Sequence, residues 1–258
     1  MRSLTKLLAI GLVSLAAACG GSSESAPGPL SKHFDDMYIA RVPIDQQRAA
    51  VEAPQSQYQV AKMANANAEA EAQEASSQLA VVRNDQKASK LAVDSALSNK
   101  KSAASSADNN RINQAAKELH GAESAQKAAA ARVKYFDAYA NWTKRQHRAA
   151  QETMYWREAQ FELAKSQLAQ KNNVSPKGVQ YEWFPKQEQD RAKRSQDAQA
   201  KADAEKKKAI EARDAWLKQQ SDADKENGRT SALSDPMAPK AAPTTATPSP
   251  APAPAPSE

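Results

Sequence analysis

The feature that most constrains the fold is a long stretch without helix-breaking residues. No proline lies between Pro54 and Pro176, and Gly121 is the only glycine within that stretch. Proteins built from β-strands need frequent turns, and these turns depend on glycine and proline. The stretch therefore excludes a β-sandwich, a barrel or a Rossmann fold and predicts long α-helices.

Alanine supplies most of the apolar surface of this chain. There are 55 alanines among the 258 residues, but only 33 residues are Ile, Leu, Val or Phe. Alanine and the abundant Gln, Glu, Lys and Arg are strong helix formers. We therefore predict an all-α protein whose helices pack along narrow seams of small residues.

Two seven-residue ladders of apolar residues indicate coiled-coil-like packing. One ladder runs from Ile44 to Val93, and the other runs from Ile112 to Leu168. The ladders are out of phase by five residues, whereas a continuous coiled coil keeps its phase or shifts by three or four. Because the jump falls in the turn-like segment 102–110 (SAASSADNN), we predict a helical hairpin there. A bent continuous helix is the alternative.

These signals divide the chain into a helical body and two terminal segments. We predict an elongated antiparallel helical hairpin or three-helix coiled-coil-like bundle with disordered termini. A predicted turn near residue 178 brings Trp216 beside Tyr139 and Trp142. The predicted segments are a signal peptide (1–18), a flexible tether (19–43), a body (44–226) with helices at about 44–104, 110–171 and 186–226, and a disordered Pro/Ala-rich tail (227–258).

The N-terminus has the pattern of a targeting segment. Arg2 and Lys6 precede an apolar run from Leu7 to Leu15, which is too short to span a bilayer. The sequence LAAAC at 15–19 resembles the lipobox of bacterial lipoproteins. This resemblance implies cleavage before Cys19.

The same resemblance implies that Cys19 carries lipid on its sulfur and on its new amino group. Gly20 follows the cysteine, and without an aspartate there the resemblance favours the outer membrane. Up to three acyl chains, such as palmitate, would then anchor the protein firmly. The alternative is an ordinary signal peptide followed by a free cysteine.

The combination of a lipidated cysteine with heptads is similar to the design of the small murein lipoproteins. Those proteins end in a lysine that is joined to the cell wall, whereas this chain ends in Ser257 and Glu258. Covalent attachment to the wall is therefore not expected.

Catalytic chemistry has little support in the sequence. The three histidines are scattered, and no HExxH, CxxC or GxSxG motif is present. The acidic residues follow the spacing of solvent-exposed helix faces rather than that of a paired site. We therefore expect no enzyme, no metal site and no cofactor.

The strongest candidate for ligand binding is a basic and aromatic run in the second long helix. Tyr139 and Trp142 lie next to Lys144, Arg145 and Arg148. This combination suits peptidoglycan, another anionic glycan or lipid headgroups. The alternative is that the rings belong to the core and the cations to the solvated side. Nucleic acid is not expected as a partner, because the compartment is wrong.

A second aromatic group, formed by Tyr181, Trp183 and Phe184, lies in the connection before the third long helix. Aromatic side chains of this kind often sit at a membrane interface. Alternatively, these rings cap the open end of the bundle over Phe34 and Tyr38. The segment around those two residues is apolar enough to form a docking turn.

Taken together, the sequence predicts a non-enzymatic cell-envelope lipoprotein. It would act as a structural spacer or as an adaptor for a protein partner, with self-association through its helices as a further expectation. A periplasmic holdase-type chaperone and an envelope-glycan-binding protein are the alternatives.

Overall fold

The computed structural model describes residues 27–238, and its regular structure there consists of helices alone. Three long helices pack against one another, which confirms the predicted all-α fold class. The predicted signal peptide, Cys19 and the last residues of the tail (239–258) lie outside the described residues. The helices are α1 (Asp36–Ile39), α2 (Ile44–Ala104), α3 (Asn109–Lys171) and α4 (Trp183–Asn227).

Local chemistry explains where the helices begin and end. Pro43 precedes the first residue of α2. The Asp108 carboxylate accepts hydrogen bonds from the backbone N–H groups of Asn110 and Arg111 and so caps α3. Gly228, with a φ of 60°, takes the left-handed conformation that commonly follows a helix, and α4 ends there.

The described residues form two compact units. Unit 1 comprises residues 27–78 and 138–209, and unit 2 comprises residues 79–137 and 210–238. Each unit contains a part of all three long helices.

In unit 1, α2 and α3 run antiparallel. The ring of Tyr58 stacks on Phe161 with 6.4 Å between centroids. Nearby, Arg157 donates a hydrogen bond to the Gln57 side chain at 3.0 Å. Further along both helices, the Tyr139 hydroxyl donates to a Glu71 carboxylate oxygen at 3.3 Å.

In unit 2, the same two helices form a hairpin. Arg83 pairs with Asp137 at 3.1 Å, and Arg132 pairs with Asp85 at 3.1 Å. Residues 105–108 make the turn between the helices. The predicted hairpin at 102–110 is thus confirmed, and the bent continuous helix is excluded.

Helix α3 buries two ladders, of which the sequence analysis found one. Members of the predicted ladder and its companions are buried at 115, 119, 136, 140 and 143. A second seven-residue ladder was missed. In unit 1 this ladder meets α4 where Ala149 packs with Ala198 and Ala202, and the Trp156 indole donates to a Glu188 carboxylate oxygen at 2.7 Å. Its members are Gly121, Ala128, Tyr135, Trp142, Ala149 and Trp156.

The partner of Trp216 differs from the prediction by about one helical turn. Trp216 stacks on Tyr135 at 5.2 Å between centroids and packs edge-to-face on Phe136 at 6.3 Å. It was expected beside Tyr139 and Trp142. The prediction placed the turn between α3 and α4 near residue 178. The chain reverses direction earlier, closer to the end of α3. Each α4 residue therefore meets an α3 residue that lies nearer to the N-terminus of α3 than predicted.

The single glycine inside the long helices has a packing role. A Cβ atom at Gly121 would lie 2.5 Å from the side-chain oxygen of Asn227. With no Cβ there, the Asn227 amide donates to the Gly121 carbonyl oxygen at 3.1 Å. The glycine thus lets the last residue of α4 reach the α3 backbone.

The first part of the predicted disordered tail is packed against the helices of unit 2. Ser231 hydrogen-bonds through its backbone and hydroxyl groups to Asp224, and Asp235 contacts Tyr135 and Arg213. Residues 228–238 therefore pack within unit 2, and the rest of the predicted tail, 239–258, lies outside the described residues.

The buried Trp216 side chain predicts a large loss of stability on truncation. Trp216 is 0 % exposed, so Trp216→Ala should leave a cavity and lower the free energy of unfolding by about 3–5 kcal/mol. Urea unfolding followed by circular dichroism measures this change. As a matched control, Val81→Ala at a 59 % exposed position of the same unit should change it by about 0.5 kcal/mol or less. Equal losses in the two variants would refute this packing.

Candidate functional site

The predicted basic and aromatic run does not form one surface. Tyr139 is buried, and Trp142 packs edge-to-face on it at 5.7 Å. The Lys206 ammonium lies over the Trp142 ring, 5.6 Å from its centroid. Both rings therefore belong to the packing of unit 1. Lys144 is exposed, and only Arg145 and Arg148 enter a cleft.

That cleft lies between α3 and α4 in unit 1 and has a volume of about 290 Å³. We call it the basic cleft, because four of its lining residues are cationic and two are acidic. The sequence analysis missed the contribution of α4, which supplies half of the cations. Its lining residues are Arg145, Arg148, Glu152, Arg194, Asp197, Ala198 and Lys201.

The floor of the basic cleft is organised by a buried carboxylate. Glu152 is only 4 % exposed. It accepts a hydrogen bond of 3.1 Å from Arg148, one helical turn away, and its second oxygen lies 3.7 Å from the Arg191 guanidinium. A buried carboxylate requires such cationic partners, because burial removes the water that would otherwise stabilise its charge.

Arg191 connects the basic cleft to the N-terminal segment. Its guanidinium donates to the carbonyl oxygens of Gly28 at 2.8 Å and Pro29 at 3.0 Å, and lies 5.2 Å from the Tyr155 ring centroid. Burial first, and then the neighbouring Arg194, lowers the pKa of Arg191. An arginine still remains cationic at neutral pH.

A second buried charge cluster holds the next part of the N-terminal segment. Lys165 and Glu162 are each 4 % exposed and pair at 2.9 Å. Glu162 accepts the backbone N–H of Phe34 at 2.6 Å, and Lys165 donates to the Phe34 carbonyl oxygen at 2.8 Å. Lys165 also pairs with Asp36 at 2.8 Å. Both polar groups of the Phe34 backbone are thereby satisfied by α3 side chains.

The predicted flexible tether is therefore fixed over most of its described length. Pro27 and Leu30 are buried, and Gln187 exchanges hydrogen bonds with the Lys32 backbone at 3.0 and 2.9 Å. The expected docking turn is present as α1. Its flanking Phe34 is 1 % exposed, whereas Met37 is 56 % exposed. The rest of the predicted tether, residues 19–26, lies outside the described residues.

The second aromatic group lies against this docked segment. Phe184 is buried and packs edge-to-face on Phe34 at 5.6 Å. Tyr181 stacks on Phe34 at 6.1 Å and donates its hydroxyl to the Val174 carbonyl oxygen. Trp183 has the Lys32 ammonium 4.2 Å from its ring. Phe184 is thus not available to a membrane, and the rings act as a cap, as the alternative interpretation held.

The C-terminal segment is held in unit 2 by another carboxylate. Asp235 accepts the Tyr135 hydroxyl at 2.6 Å, the Met237 backbone N–H at 3.0 Å and the Arg213 guanidinium. Burial alone would raise the pKa of Asp235, but these hydrogen bonds outweigh burial and lower it. Burial and the bond to Asp235 raise the pKa of the Tyr135 hydroxyl.

Across residues 27–238 there is no group of three or more His, Cys, Asp and Glu side chains suited to a metal ion. Within the same residues, no helix is long and apolar enough to cross a bilayer. Comparison with family models, curated proteins and solved structures gives no significant match.

The sequence carries only a faint signal for these clusters. Glu162 and Lys165 stand three residues apart in an apolar stretch, which is also the spacing of an ordinary surface ion pair. Their burial becomes visible only in the structure, where the Phe34 backbone is hydrogen-bonded to both side chains.

Breaking the pair that holds Phe34 should be costly. Lys165→Met leaves the buried Glu162 without its lysine, with only the exposed His33 imidazole 3.9 Å away, and should lower the free energy of unfolding by about 3–5 kcal/mol. The double variant Glu162→Gln with Lys165→Met should lose less, since no buried charge remains. Urea unfolding measures both, with Lys171→Met at an exposed position as the control. If the double variant had a lower free energy of unfolding than Lys165→Met alone, a buried ion pair between Glu162 and Lys165 would be contradicted.

The contact at Asp235 should depend on pH. Because the folded pKa is lowered, the contact stabilises the C-terminal segment above the unfolded pKa of about 4, and this stability is lost as pH falls through the folded value. Hydrogen exchange of residues 229–238 should therefore be faster in Asp235→Asn than in the unchanged chain at pH 7, and similar in both at pH 2. Identical exchange at pH 7 would rule the contact out.

Proposed function

We propose that the protein is a lipid-anchored adaptor of a bacterial cell envelope, attached to the outer membrane. The anchor rests on the lipobox-like sequence at 15–19 and on Cys19. The long helices then present binding surfaces to a protein partner. The proposal includes no catalytic step.

The observation that carries the adaptor role is the exposed apolar surface of α2. In unit 1, Val60 and Met63 are 67 % and 65 % exposed. In unit 2, Val81 and Leu91 are 59 % and 69 % exposed. Their spacings of three and ten residues are those of heptad positions that face a neighbouring helix. Each unit therefore has an apolar pair on α2 that a partner helix could bury.

The same exposed residues favour one second candidate, a holdase-type chaperone. A holdase binds many unfolded chains through apolar surface, whereas an adaptor binds one folded partner. The glycan-binding alternative gains less support, because the Trp142 ring already packs on Tyr139 and lies under Lys206. A role as a spacer remains the alternative that needs no partner.

In-cell photocrosslinking distinguishes these functions. A photoreactive residue at Asn84, which lies between Val81 and Leu91, should give one discrete protein adduct. The same residue at Asp222 of α4, also exposed and in unit 2, serves as the matched control and should not give that adduct. Mass spectrometry then identifies the partner.

A double variant tests whether Val81 and Leu91 bind the crosslinked partner. Val81→Asp with Leu91→Asp should abolish the adduct while changing the free energy of unfolding by roughly 0.5 kcal/mol or less per site, because both positions are exposed. A ladder of many adducts from Asn84 would indicate a holdase. Adducts to the protein itself alone, or none, would reject the adaptor role and favour a spacer.

A further inference from the structure

We propose that this protein binds a second copy of itself through two oppositely charged surfaces. One surface is a groove lined by lysines in unit 2, and the other is an acidic stripe on α2 in unit 1. The inference goes beyond the adaptor role. It uses neither the lipid anchor nor the apolar pair Val81 and Leu91, which stays available to another partner.

The groove lies between α3 and α4 in unit 2 and has a volume of about 450 Å³. Two alanines from each helix form its apolar floor, and none of the residues that line it is acidic. Three exposed lysines line its edges, Lys127 and Lys134 of α3 and Lys218 of α4. We call it the lysine groove.

The charge of the lysine groove is not neutralised by the rest of the structure. Within residues 27–238, no hydrogen bond, ion pair or ring contact involves the ammonium groups of its three lysines. A surface of one charge sign attracts a surface of the opposite sign and disfavours others. The groove therefore suits an occupant with an apolar side and acidic flanks.

The α3 side of the lysine groove has the spacing of a helix face that meets another helix. Lys127, Ala130, Ala131 and Lys134 follow one another at i, i+3, i+4 and i+7. None of them belongs to the two ladders by which α3 packs on α2 and α4. Because small residues lie between the two lysines, the backbone of a further helix can approach closely. An acidic helix therefore fits the groove.

This chain contains such a helix surface. The acidic stripe is the exposed side of residues 63–74 on α2, a stretch with three glutamates and no lysine or arginine. Met63, Ala70 and Glu74 are exposed, and their spacings of seven and four residues place them on one side of the helix. Glu69, also exposed, flanks that side. Apolar and acidic groups are thus combined as the groove requires.

The charges of the two surfaces also match in spacing. At 1.5 Å per residue, Lys127 and Lys134 are about 10 Å apart along α3, and Glu69 and Glu74 are about 8 Å apart along α2. The long side chains of lysine and glutamate can bridge the difference. A single anionic group would meet a lysine at only one end of the α3 side, whereas the stripe has a carboxylate for each.

The contact joins two different surfaces, so it is heterologous. Sedimentation equilibrium of the full chain in a neutral detergent with a thiol reductant tests it. We expect self-association with a dissociation constant on the order of micromolar, as for small polar interfaces. Salt at 1 M should raise this constant at least about tenfold, because ions screen exposed charges. A chain that stays monomeric at ~100 µM, or an association that salt does not change, would overturn the proposal.

Two charge-reversed variants test the surfaces separately. Lys127→Glu with Lys134→Glu changes the lysine groove, and Glu69→Lys with Glu74→Lys changes the acidic stripe. Each double variant alone should raise the dissociation constant at least about tenfold, because like charges then face each other. An equimolar mixture of the two should associate again, since the unchanged stripe of one variant meets the unchanged groove of the other.

A matched control separates this contact from a general effect of net charge. Lys87→Glu with Lys90→Glu alters net charge as much as the groove variant does, at exposed positions on α2 in unit 2. It should keep the dissociation constant of the unchanged chain within about threefold. Circular dichroism should show the same helix content in all variants, because every substituted position is exposed. A mixture that stays monomeric, or equal weakening by the control and groove variants, would refute the contact.

Discussion

The structure depends on one helix that must be buried along two sides at once. Helix α3 carries the ladder that packs on α2 and, offset from it, the ladder from Gly121 to Trp156 that meets α4. Small residues at most of these positions let the backbones approach closely, and large rings such as Tyr135 and Phe136 fill the wider parts. The remaining sides of the helices carry most of the charged side chains, and a few charged residues of unit 1 are buried.

Buried charge then determines how the N-terminal segment is placed. Glu152, Glu162, Lys165 and Arg191 are buried in unit 1, and each must find a partner because water cannot reach it. Lys165 and Arg191 find partners in backbone carbonyl oxygens of residues 28–34. The segment and the buried charges thus depend on each other, and the pairing fixes one position and one direction for residues 28–34.

The same helical geometry separates the candidate functional surfaces. Tyr139 and Trp142 turn into the packing of unit 1, whereas Arg145 and Arg148, three residues apart, share the side that faces Arg194. A run that is contiguous in sequence is therefore divided between core and cleft. In the same unit, the exposed apolar residues Val60 and Met63 belong to α2, whereas the cleft lies between α3 and α4.

The sequence by itself determined the helices, because the absence of proline and glycine, the alanine content and the phase jump at 102–110 are local properties. It also determined the lipobox-like motif at Cys19. Only the tertiary structure decided which charges are buried, since the spacing of Glu162 and Lys165 is the same on a surface. It also decided the register of α4 against α3. The shift of Trp216 by about one helical turn, to Tyr135, depends on where the loop between the two helices reverses the chain. The basic cleft follows from that register, since residues of α3 and α4 that are far apart in the sequence must meet to form it.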